Sequence, residues 1–407
     1  MKSRVPANAA IVTVGTELVR GLAVDTNTSE IARTLRAVGV DVLEAISVSD
    51  DEEVLAAHLR RCTAAYDLVV VTGGLGPTHD DVTRQAAARA LGLALVRDQA
   101  LVEGLSAAAG RHAAEQVYVQ ADVLAGAVVL PAVRGTAPGQ VVPTARGSLV
   151  LLPGPPREMR PLLDSVVVSW NAKVAAPEVL RCAGLSESDL QFAAQDVLGE
   201  RTDVELTVLA KPGDVRIVLF DRGAGAKELH RLGAAIAERV GEACYSTDGS
   251  SLAEVVRERA AHASLTFATA ESCTGGLLGG AITAVPGASD VYLGGAIVYS
   301  NELKTTLLGV DPSLITTFGA VSDAVARAMA AGARHVAGAD VAISITGVAG
   351  PGGGTEAKPV GTVWFGVALA DEARAEVRRF PGDRDAVRER AVMTALDLLR
   401  RALPTIG

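Results

Sequence analysis

A polar segment, Glu-Ser-Cys-Thr-Gly-Gly, interrupts two apolar stretches in the last third of this 407-residue chain. A strand-like run precedes it, and a run of small residues with the character of a helix follows it. Ser272 therefore has two interpretations, because serine commonly caps helices and can also act as a nucleophile. As a nucleophile it would lie at a helix start, where the N–H groups of Cys273 to Gly276 could stabilise an oxyanion.

A serine hydroxyl attacks readily only when a base removes its proton, and Lys304 is the candidate base. Lysine can act as a base once burial or neighbouring groups lower its pKa, whereas arginine stays protonated. The chain has only six lysines among its 38 lysines and arginines, so the use of one here is suggestive. Tyr299 could relay a proton or orient Lys304. Cys273 is a rival nucleophile, because the pKa of a thiol falls at a helix start.

The glycine-rich segment SITGVAGPGGG covers residues 344–354 and contains Thr346 and Gly347, which could bind the phosphate or ribose of a substrate. Arg384, in the segment Pro-Gly-Asp-Arg, could pair with a phosphate through two hydrogen bonds. The alternatives are a flexible loop and a solvated arginine at a helix start. A serine nucleophile and a lysine base would then act on a substrate held by the glycine-rich segment, with its phosphate bound by Arg384.

A second glycine-rich loop, TGGLGPTHDD, covers residues 72–81 at the end of a strand-like apolar run. The N–H groups of Gly73 and Gly74 could cradle a phosphate, because glycine allows a close approach of the backbone. Asp80 and Asp81 could then hold a divalent cation, which prefers carboxylate oxygens. A tight turn capped by an aspartate is the alternative. The motif G-x-G-x-x-G is absent from this loop, so a Rossmann dinucleotide site is not supported.

The elements that must position these residues alternate between strands and helices. Residues 8–165 alternate short apolar runs, typical of parallel strands covered on both faces, with helical segments. The pattern then changes to helices around two strands that meet at a Lys-Pro-Gly-Asp turn. The alternation of apolar strands and helices resumes in the last third of the chain. The predicted fold class is α/β, with two doubly wound α/β domains, 1–165 and 251–407, joined by a small α+β domain, 166–250.

Composition restricts the partners and the location of the protein. The net charge of −9 disfavours nucleic acid as a partner, because phosphate contacts need clustered lysines and arginines. No stretch approaches the roughly 18 apolar residues of a membrane span, and we expect no cleavable signal. Four widely spaced cysteines form no C-x-x-C motif, so neither a zinc site nor a disulfide framework is indicated. We expect a cytoplasmic protein with no membrane partner.

Ordered motifs in both α/β domains resemble the CinA family, competence/damage-inducible protein A. In the first domain they are VGTELVRG, DTN, TGGLGPTHDDVT, GTAPG and LPGPP, and in the last they are TAESCTGGLLGGAIT, YSNELKTTLLGV, SITGVAGPGGGTEAKPVGTV and FPGDRDAVRERA. The resemblance covers nearly the whole chain. It implies a molybdopterin-binding-like domain with ADP-ribose pyrophosphatase activity, a KH-like linker domain, and a domain that deamidates nicotinamide mononucleotide (NMN).

The resemblance also implies roles for individual residues. The implied catalytic residues are Ser272, Lys304 and Tyr299 for deamidation and Asp81 for the pyrophosphatase. The implied substrate-binding residues are Thr274, Gly275, Thr346, Gly347 and Arg384 for NMN, and Gly73, Gly74 and Asn27 for ADP-ribose. The implied ligands of a divalent metal ion, expected to be Mg²⁺, are Asp50, Asp80, Asp81 and Glu158. No cofactor is expected for the deamidase, and the chain is expected to form a homodimer.

Two features leave alternatives open. The chain has Leu124 to Ala127 where family members usually carry Pro-Glu-Gly-Ala, and a weakened or altered pyrophosphatase would follow if these residues contact ligand. A working KH domain uses a G-x-x-G loop, and residues 166–250 contain none, so this domain is predicted to be a spacer or dimer-forming. The rival functions are a molybdopterin-type binding or transfer protein and a non-catalytic partner in competence or DNA damage.

Overall fold

The computed structural model describes residues 5–109, 115–170 and 176–405. The chain divides into two compact units, Met1–Ala175 and Ala176–Gly407. Within the described ranges, no helix combines the length and the apolar character needed to cross a bilayer.

The first unit is built around a mostly parallel sheet. Its strands within the described residues are β1 (Asn8–Val14), β2 (Asp41–Val48), β3 (Leu68–Thr72), β4 (Leu95–Arg97), β5 (Asp122–Leu124), β6 (Val128–Leu130), β7 (Gly139–Pro143) and β8 (Ser148–Leu152). Six of them form one sheet in the order β2-β1-β3-β8-β7-β6, and β4 pairs with β5. The first four strands in that order are parallel, whereas β7 and β6 are antiparallel to their neighbours.

Helices cover both faces of this sheet. They are α1 (Thr16–Val19), α2 (Asn27–Ala37), α3 (Glu52–Ala65), α4 (Thr83–Leu91), α5 (Gln99–Ala109) and α6 (Pro156–Val168). In β3, Val69 and Val71 belong to one hydrophobic cluster, and Leu68 and Val70 belong to another on the opposite face. A strand buried on both faces explains why the sequence of β3 is continuously apolar.

The second unit begins with an antiparallel sheet. Its strands are β9 (Glu178–Cys182), β10 (Val204–Lys211), β11 (Asp214–Asp221) and β12 (Cys244–Ser246), in the order β10-β11-β9-β12, and its helices are α7 (Glu187–Leu198) and α8 (Ala226–Val240). β10 and β11 are antiparallel and meet at the Lys-Pro-Gly-Asp turn, as predicted. Gly213 in this turn has a φ of +82°, a conformation that favours glycine.

The second sheet of this unit resumes the doubly wound pattern. Its strands are β13 (Phe267–Glu271), β14 (Tyr292–Ile297), β15 (Val341–Gly347), β16 (Thr362–Ala368) and β17 (Ala373–Arg379). Its helices are α9 (Leu252–Ala263), α10 (Leu277–Thr283), α11 (Asn301–Leu308), α12 (Pro312–Phe318), α13 (Asp323–Ala337) and α14 (Arg384–Ala402). The order is β14-β13-β15-β16-β17, and the first three strands are parallel.

The predicted α/β fold class, with two doubly wound parts and a small α+β part, is confirmed. Two details differ from the sequence prediction. β16 is antiparallel to β15, and β17, which the sequence analysis did not identify, is antiparallel to β16. β17 is an edge strand whose arginines are exposed, so it lacks the apolar run by which the other strands were recognised. The three-domain boundaries stay a prediction.

Candidate active site

The candidate nucleophile Ser272 directly follows β13, at the carboxyl ends of three parallel strands. β13 lies between β14 and β15, so the segments that leave both neighbours pass close to Ser272. The Ser272 N–H donates to the Ile345 carbonyl at 2.9 Å, which fixes the backbone against β15. The residue is 8% exposed. Ligands of open α/β sheets bind at such strand ends, so the position suits a reactive side chain.

Ser272 does not cap the following helix, so the capping interpretation is wrong. α10 begins at Leu277, and its N-cap residue is Gly276. The carboxylate of Glu271 takes the capping role. It accepts hydrogen bonds of 2.8–3.1 Å from the N–H groups of Gly276, Leu278 and Gly279. A negative charge there also stabilises the positive end of the helix dipole. The Ser272 hydroxyl is therefore not needed to begin the helix.

Hydrogen bonds within the same turn reduce the number of N–H groups that could stabilise an oxyanion. Of the four N–H groups predicted for this role, that of Gly275 donates to the Ser272 carbonyl at 3.1 Å, and that of Gly276 donates to Glu271. Both glycines have positive φ angles, +61° and +97°, so the tight turn requires glycine. The N–H groups of Cys273 and Thr274 remain as candidates.

Lys304 approaches Ser272 from α11, and its Nζ lies 3.3 Å from the Ser272 Oγ. The lysine is 1% exposed, and lysine is almost never buried to this degree without a charged partner. Its Nζ also donates to the Val298 carbonyl at 3.0 Å and the Tyr299 carbonyl at 3.4 Å. Desolvation by burial lowers the pKa of Lys304 below the ordinary value for lysine. More of the lysine is therefore neutral, the form that can accept a proton from serine.

The Cys273 thiol is a weaker candidate nucleophile than the Ser272 hydroxyl. Cys273 is buried and packs in a hydrophobic cluster of the second unit. Burial raises the pKa of this thiol to about 11, although the charge of Arg384 acts in the opposite direction. Because the thiolate is the reactive form, Cys273 stays protonated and inert near neutral pH. The predicted fall of its pKa at a helix start is wrong, since α10 begins four residues later.

Ser272 and Lys304 line a cavity of about 200 Å³ at these strand ends. The predicted site residues in its lining are Ser272, Lys304, Tyr299, Thr346, Gly347 and Arg384, together with the rival nucleophile Cys273. They come from four separate segments of the chain. The lining also contains residues that the sequence analysis did not single out, namely Asn301, Ala320, Val321 and Ala349.

Tyr299 and Arg384 contact each other on the exposed side of this cavity. The Arg384 Nη2 donates to the Tyr299 hydroxyl at 3.2 Å, and its Nη1 donates to the Gly350 carbonyl at 2.7 Å. Tyr299 is 59% exposed, and only its carbonyl oxygen contacts Lys304. The guanidinium is thus positioned by two neutral acceptors and keeps its full charge for an anionic group.

Other predicted substrate-binding residues differ in how they face the cavity. The Thr346 hydroxyl donates to the Ala320 carbonyl at 2.8 Å, so its oxygen remains available as an acceptor. Thr274 and Gly275 do not belong to the cavity lining. The Thr274 side chain is fully buried, and its hydroxyl has no hydrogen-bond partner among the described residues. The Thr274 carbonyl accepts a hydrogen bond from Arg388 at 3.1 Å.

The predicted residues of the first unit line a separate cavity of about 370 Å³. They are Gly73, Gly74, Asp50, Asp80, Asp81 and Glu158. A side chain at position 73 would collide with the Val14 carbonyl, so the close approach of the backbone requires glycine there. Asn27 does not line this cavity. Its amide donates to the Gly154 carbonyl at 2.7 Å and to the Thr72 hydroxyl at 3.2 Å, which links β3 to the loop after β8.

The four predicted metal ligands do not form a ready-made cage for an ion. Within the described ranges, no group of three or more His, Cys, Asp or Glu side chains is placed to hold a metal. Asp81 accepts hydrogen bonds from the N–H groups of Gly76 and Thr78, both at 2.8 Å. Asp50 accepts one from the Thr16 N–H at 2.7 Å. These residues do not fit a resident ion held by protein ligands alone, and a divalent ion in this cavity stays a prediction.

Comparison with known proteins places these two cavities in matched domains. Residues 249–403 match the CinA C-terminal domain, and residues 10–173 match the family described as "Probable molybdopterin binding domain". The CinA-like protein of Acidobacterium capsulatum is 39% identical over 414 residues, covering 97% of this chain and 99% of that protein. The chain belongs to the CinA family.

A second relative supports this assignment, and one solved structure is similar in sequence to part of the chain. The CinA-like protein of Solibacter usitatus is 39% identical over 408 residues, covering 97% of this chain and 98% of that protein. The crystal structure of a competence or damage-inducible protein from Enterobacter asburiae covers 38% of this chain and 100% of its own, with 36% identity and a TM-score of 0.37.

Two further residues of the CinA motifs, Glu271 and Arg388, hold the Ser272 turn in place and were not predicted from the sequence. Glu271 immediately precedes Ser272. An acidic residue shortly before two glycines and a helix favours a role in capping that helix, so this pattern could have predicted the role of Glu271. Arg388 follows Arg384 by one helical turn on α14 and binds the backbone of the Ser272 turn. The sequence offered no signal for that contact, since it joins residues 114 positions apart.

Proposed function

We propose that the second unit hydrolyses the carboxamide of NMN to give nicotinate mononucleotide and ammonia. The observation that carries this proposal is the buried Lys304, with its lowered pKa and its Nζ 3.3 Å from the Ser272 Oγ. Burying a lysine without a charged partner costs stability, and a catalytic role explains why it is kept. The match of residues 249–403 to the CinA C-terminal domain supports a functional site in this unit.

In the first half of the reaction, neutral Lys304 accepts the Ser272 hydroxyl proton while Oγ attacks the carboxamide carbon. The carbonyl oxygen becomes an oxyanion, and the N–H groups of Cys273 and Thr274 are the candidates to stabilise it. The tetrahedral intermediate then collapses and breaks the C–N bond. Ammonia leaves with the proton that Lys304 returns, and nicotinate remains joined to Ser272 as an ester.

In the second half, a water molecule attacks the ester carbon, and Lys304 accepts one of its protons. Breaking the bond between the ester carbon and Oγ releases nicotinate mononucleotide, and the proton returns to Ser272. The net reaction consumes one water and releases one ammonia for each NMN.

The cavity suits the reacting end of this substrate. Its volume of about 200 Å³ lies below the roughly 300 Å³ at which most ligand pockets begin. It would therefore take the nicotinamide and part of the ribose, and the phosphate would lie outside it, beside Arg384. A guanidinium can bind a phosphate through two parallel hydrogen bonds.

Ammonia release from NMN by the purified full-length protein tests the proposal. Ser272→Ala is expected to lower kcat by about 10³-fold or more, because no other group replaces the nucleophile. Cys273→Ala is the matched control from the next position, and it should keep most of the activity. The opposite result would make Cys273 the nucleophile, and absence of activity in the wild-type protein would overturn the proposal.

We also propose that the first unit binds and cleaves the diphosphate of ADP-ribose. The support is the convergence of Gly73, Gly74 and several carboxylates on one cavity of about 370 Å³. Mg²⁺ in proteins is commonly bound through one or two carboxylates together with substrate phosphates. Asp50 and Asp80 would then hold the ion only when the diphosphate is present, where it would neutralise phosphate charge. A molybdopterin-type binding protein, the rival, would use the same cavity without cleavage.

Release of AMP from ADP-ribose tests this second activity. Asp81→Asn should abolish it, because one carboxylate oxygen that holds the glycine-rich loop becomes an NH₂ group. Chelation of divalent ions should also stop it, and added Mg²⁺ should restore it. Glu53→Gln is the control, since Glu53 is an exposed carboxylate outside this cavity. Full activity in Asp81→Asn or under chelation would contradict the proposal.

A further inference from the structure

A second cavity of the second unit, of about 1030 Å³, has no role in the chemistry proposed above. Its walls come from the loop after β9, the turn at Gly213, the segment that leads into β12, the helices α9 and α14, and the strands β16 and β17. It shares no lining residue with the cavity at Ser272. We refer to this cavity as the basic groove.

Arginine dominates the charged lining of the basic groove. The arginines are Arg259, Arg374, Arg378, Arg390, Arg400 and Arg401, and the acidic residues are Glu242, Glu376 and Asp397. Six cations and three anions give the lining a net charge of +3. The whole chain has a net charge of −9, so this local excess does not reflect the general composition. A concave surface of one sign concentrates small ions of the opposite sign.

All three acidic residues of the groove already have arginine partners. The ion pairs are Asp397 with Arg400 and Arg401, Glu376 with Arg378, and Glu242 with Arg401, at N–O distances of 2.6–3.6 Å. Among the residues that the structure describes, Arg259, Arg374 and Arg390 have no carboxylate within 4 Å. The excess positive charge therefore resides on three guanidiniums that form no ion pair among the described residues, although the charge of Asp397 acts on Arg259 from a greater distance.

These three guanidiniums come from three different elements, α9, β17 and α14. Arg259 donates to the Arg400 carbonyl at 3.1 Å, and Arg390 donates to the Pro381 carbonyl at 2.8 Å. Burial lowers the pKa of Arg259, so an anion beside it would offset an existing cost. Arg374 is exposed.

The wall around these arginines is firmly packed. Arg400 is 4% exposed and donates to the Glu242 carbonyl at 2.9 Å, which ties α14 to the segment before β12. At the other side, a Cβ on Gly213 would lie 2.7 Å from the Met393 Cβ, so the β10–β11 turn touches α14 directly. The groove is therefore formed before any ligand arrives, which reduces the entropic cost of binding.

We propose that the basic groove binds a small phosphorylated molecule of nucleotide size. Guanidinium groups match phosphate oxygens in geometry and are only weakly hydrated, so they bind phosphate well. Phe380, Met393 and Leu398 add apolar lining, which would take the uncharged part of such a ligand. The volume of about 1030 Å³ lies just above the roughly 300–1000 Å³ range of small-molecule pockets, so the groove can hold a ligand of nucleotide size.

Calorimetric titration of the full-length protein with inorganic pyrophosphate tests this site, with a chelator present to remove the divalent ion that the proposed diphosphate site of the first unit requires. Arg374→Gln and Arg390→Gln, singly and combined, remove charge from the groove. Arg374 is exposed, so its single variant should fold normally. The matched control is Arg239→Gln, an exposed arginine of α8 that pairs with Asp196 outside the groove. Arg384→Gln reports on pyrophosphate bound at the Ser272 cavity instead.

We expect the combined groove variant to weaken the Kd for pyrophosphate by about tenfold or more, and Arg239→Gln to leave it unchanged. Binding should also weaken with added salt, since it is ionic. An unchanged Kd in the groove variants would overturn the proposal, because the anion would then bind elsewhere. A loss of binding in Arg384→Gln alone would place the anion at the Ser272 cavity and would overturn it as well. Absence of binding to the wild type at about 1 mM pyrophosphate would overturn it as well.

Discussion

At the scale of single residues, the pKa of Lys304 decides when the proposed deamidase is active. The ordinary pKa of lysine is 10.5, and burial lowers it at this position. The base works only in its neutral form, so kcat/KM for NMN should rise with pH and level off above the apparent pKa. We expect that apparent pKa to lie clearly below 10.5, from initial rates measured between about pH 6 and about pH 10.

Lys304→Arg separates charge from basicity at the same position. Arginine keeps a positive charge beside Ser272 but stays protonated at every accessible pH. The variant should therefore lose activity across the whole range and show no rising limb. Lys358→Arg is the control, because the half-buried Lys358 does not line the Ser272 cavity and its ammonium donates to the Phe318 carbonyl. A rising limb that survives in Lys304→Arg would show that another group is the base.

At the scale of elements, the start of α10 depends on Glu271. Its two carboxylate oxygens accept three N–H groups, and hydrogen bonds to charged groups contribute about 1.5–3 kcal/mol each. In Glu271→Gln, one oxygen becomes an NH₂ group that faces a donor. We expect a lower midpoint of thermal unfolding and a lower kcat with little change in KM, because the turn that holds Ser272 loosens.

Glu302→Gln is the matched control for this prediction. Glu302 lies in the first turn of α11 and is exposed, so its loss should lower the unfolding midpoint much less than Glu271→Gln and leave kcat unchanged. If Glu271→Gln lowers the unfolding midpoint but leaves kcat intact, Glu271 stabilises the helix without positioning Ser272.

The strands, the helix starts and the long-range contacts differ in how well the sequence predicts them. The apolar runs of β1, β3, β13 and β15 identified the parallel strands, because burial on both faces leaves a continuous apolar pattern. The start of α10 was misplaced, since two glycines, Gly275 and Gly276, and a buried carboxylate replaced the usual side-chain cap. The contact of Lys304 with Ser272 joins residues 32 positions apart, and local spacing carries no information on such a contact. The scarcity of lysine made Lys304 suggestive as a base, and the family resemblance implied its pairing with Ser272.

At the scale of the whole molecule, the chain consists of two compact units, each with its own sheets and core. Every residue that lines the Ser272 cavity belongs to the second unit, and every residue that lines the glycine-loop cavity belongs to the first. The hydrophobic clusters around these cavities are likewise separate. Compact units with their own cores generally fold independently, so the two proposed activities should be separable.

A protein that begins at Ala176 is therefore expected to fold cooperatively and to release ammonia from NMN within about twofold of the full-length rate. Circular dichroism and thermal unfolding establish folding, and the same fragment with Ser272→Ala is the control for specific activity. The fragment should show no ADP-ribose cleavage, since the glycine-rich loop is absent. A fragment that unfolds cooperatively but does not deamidate NMN would contradict this, because it would show that the first unit contributes to the deamidase site.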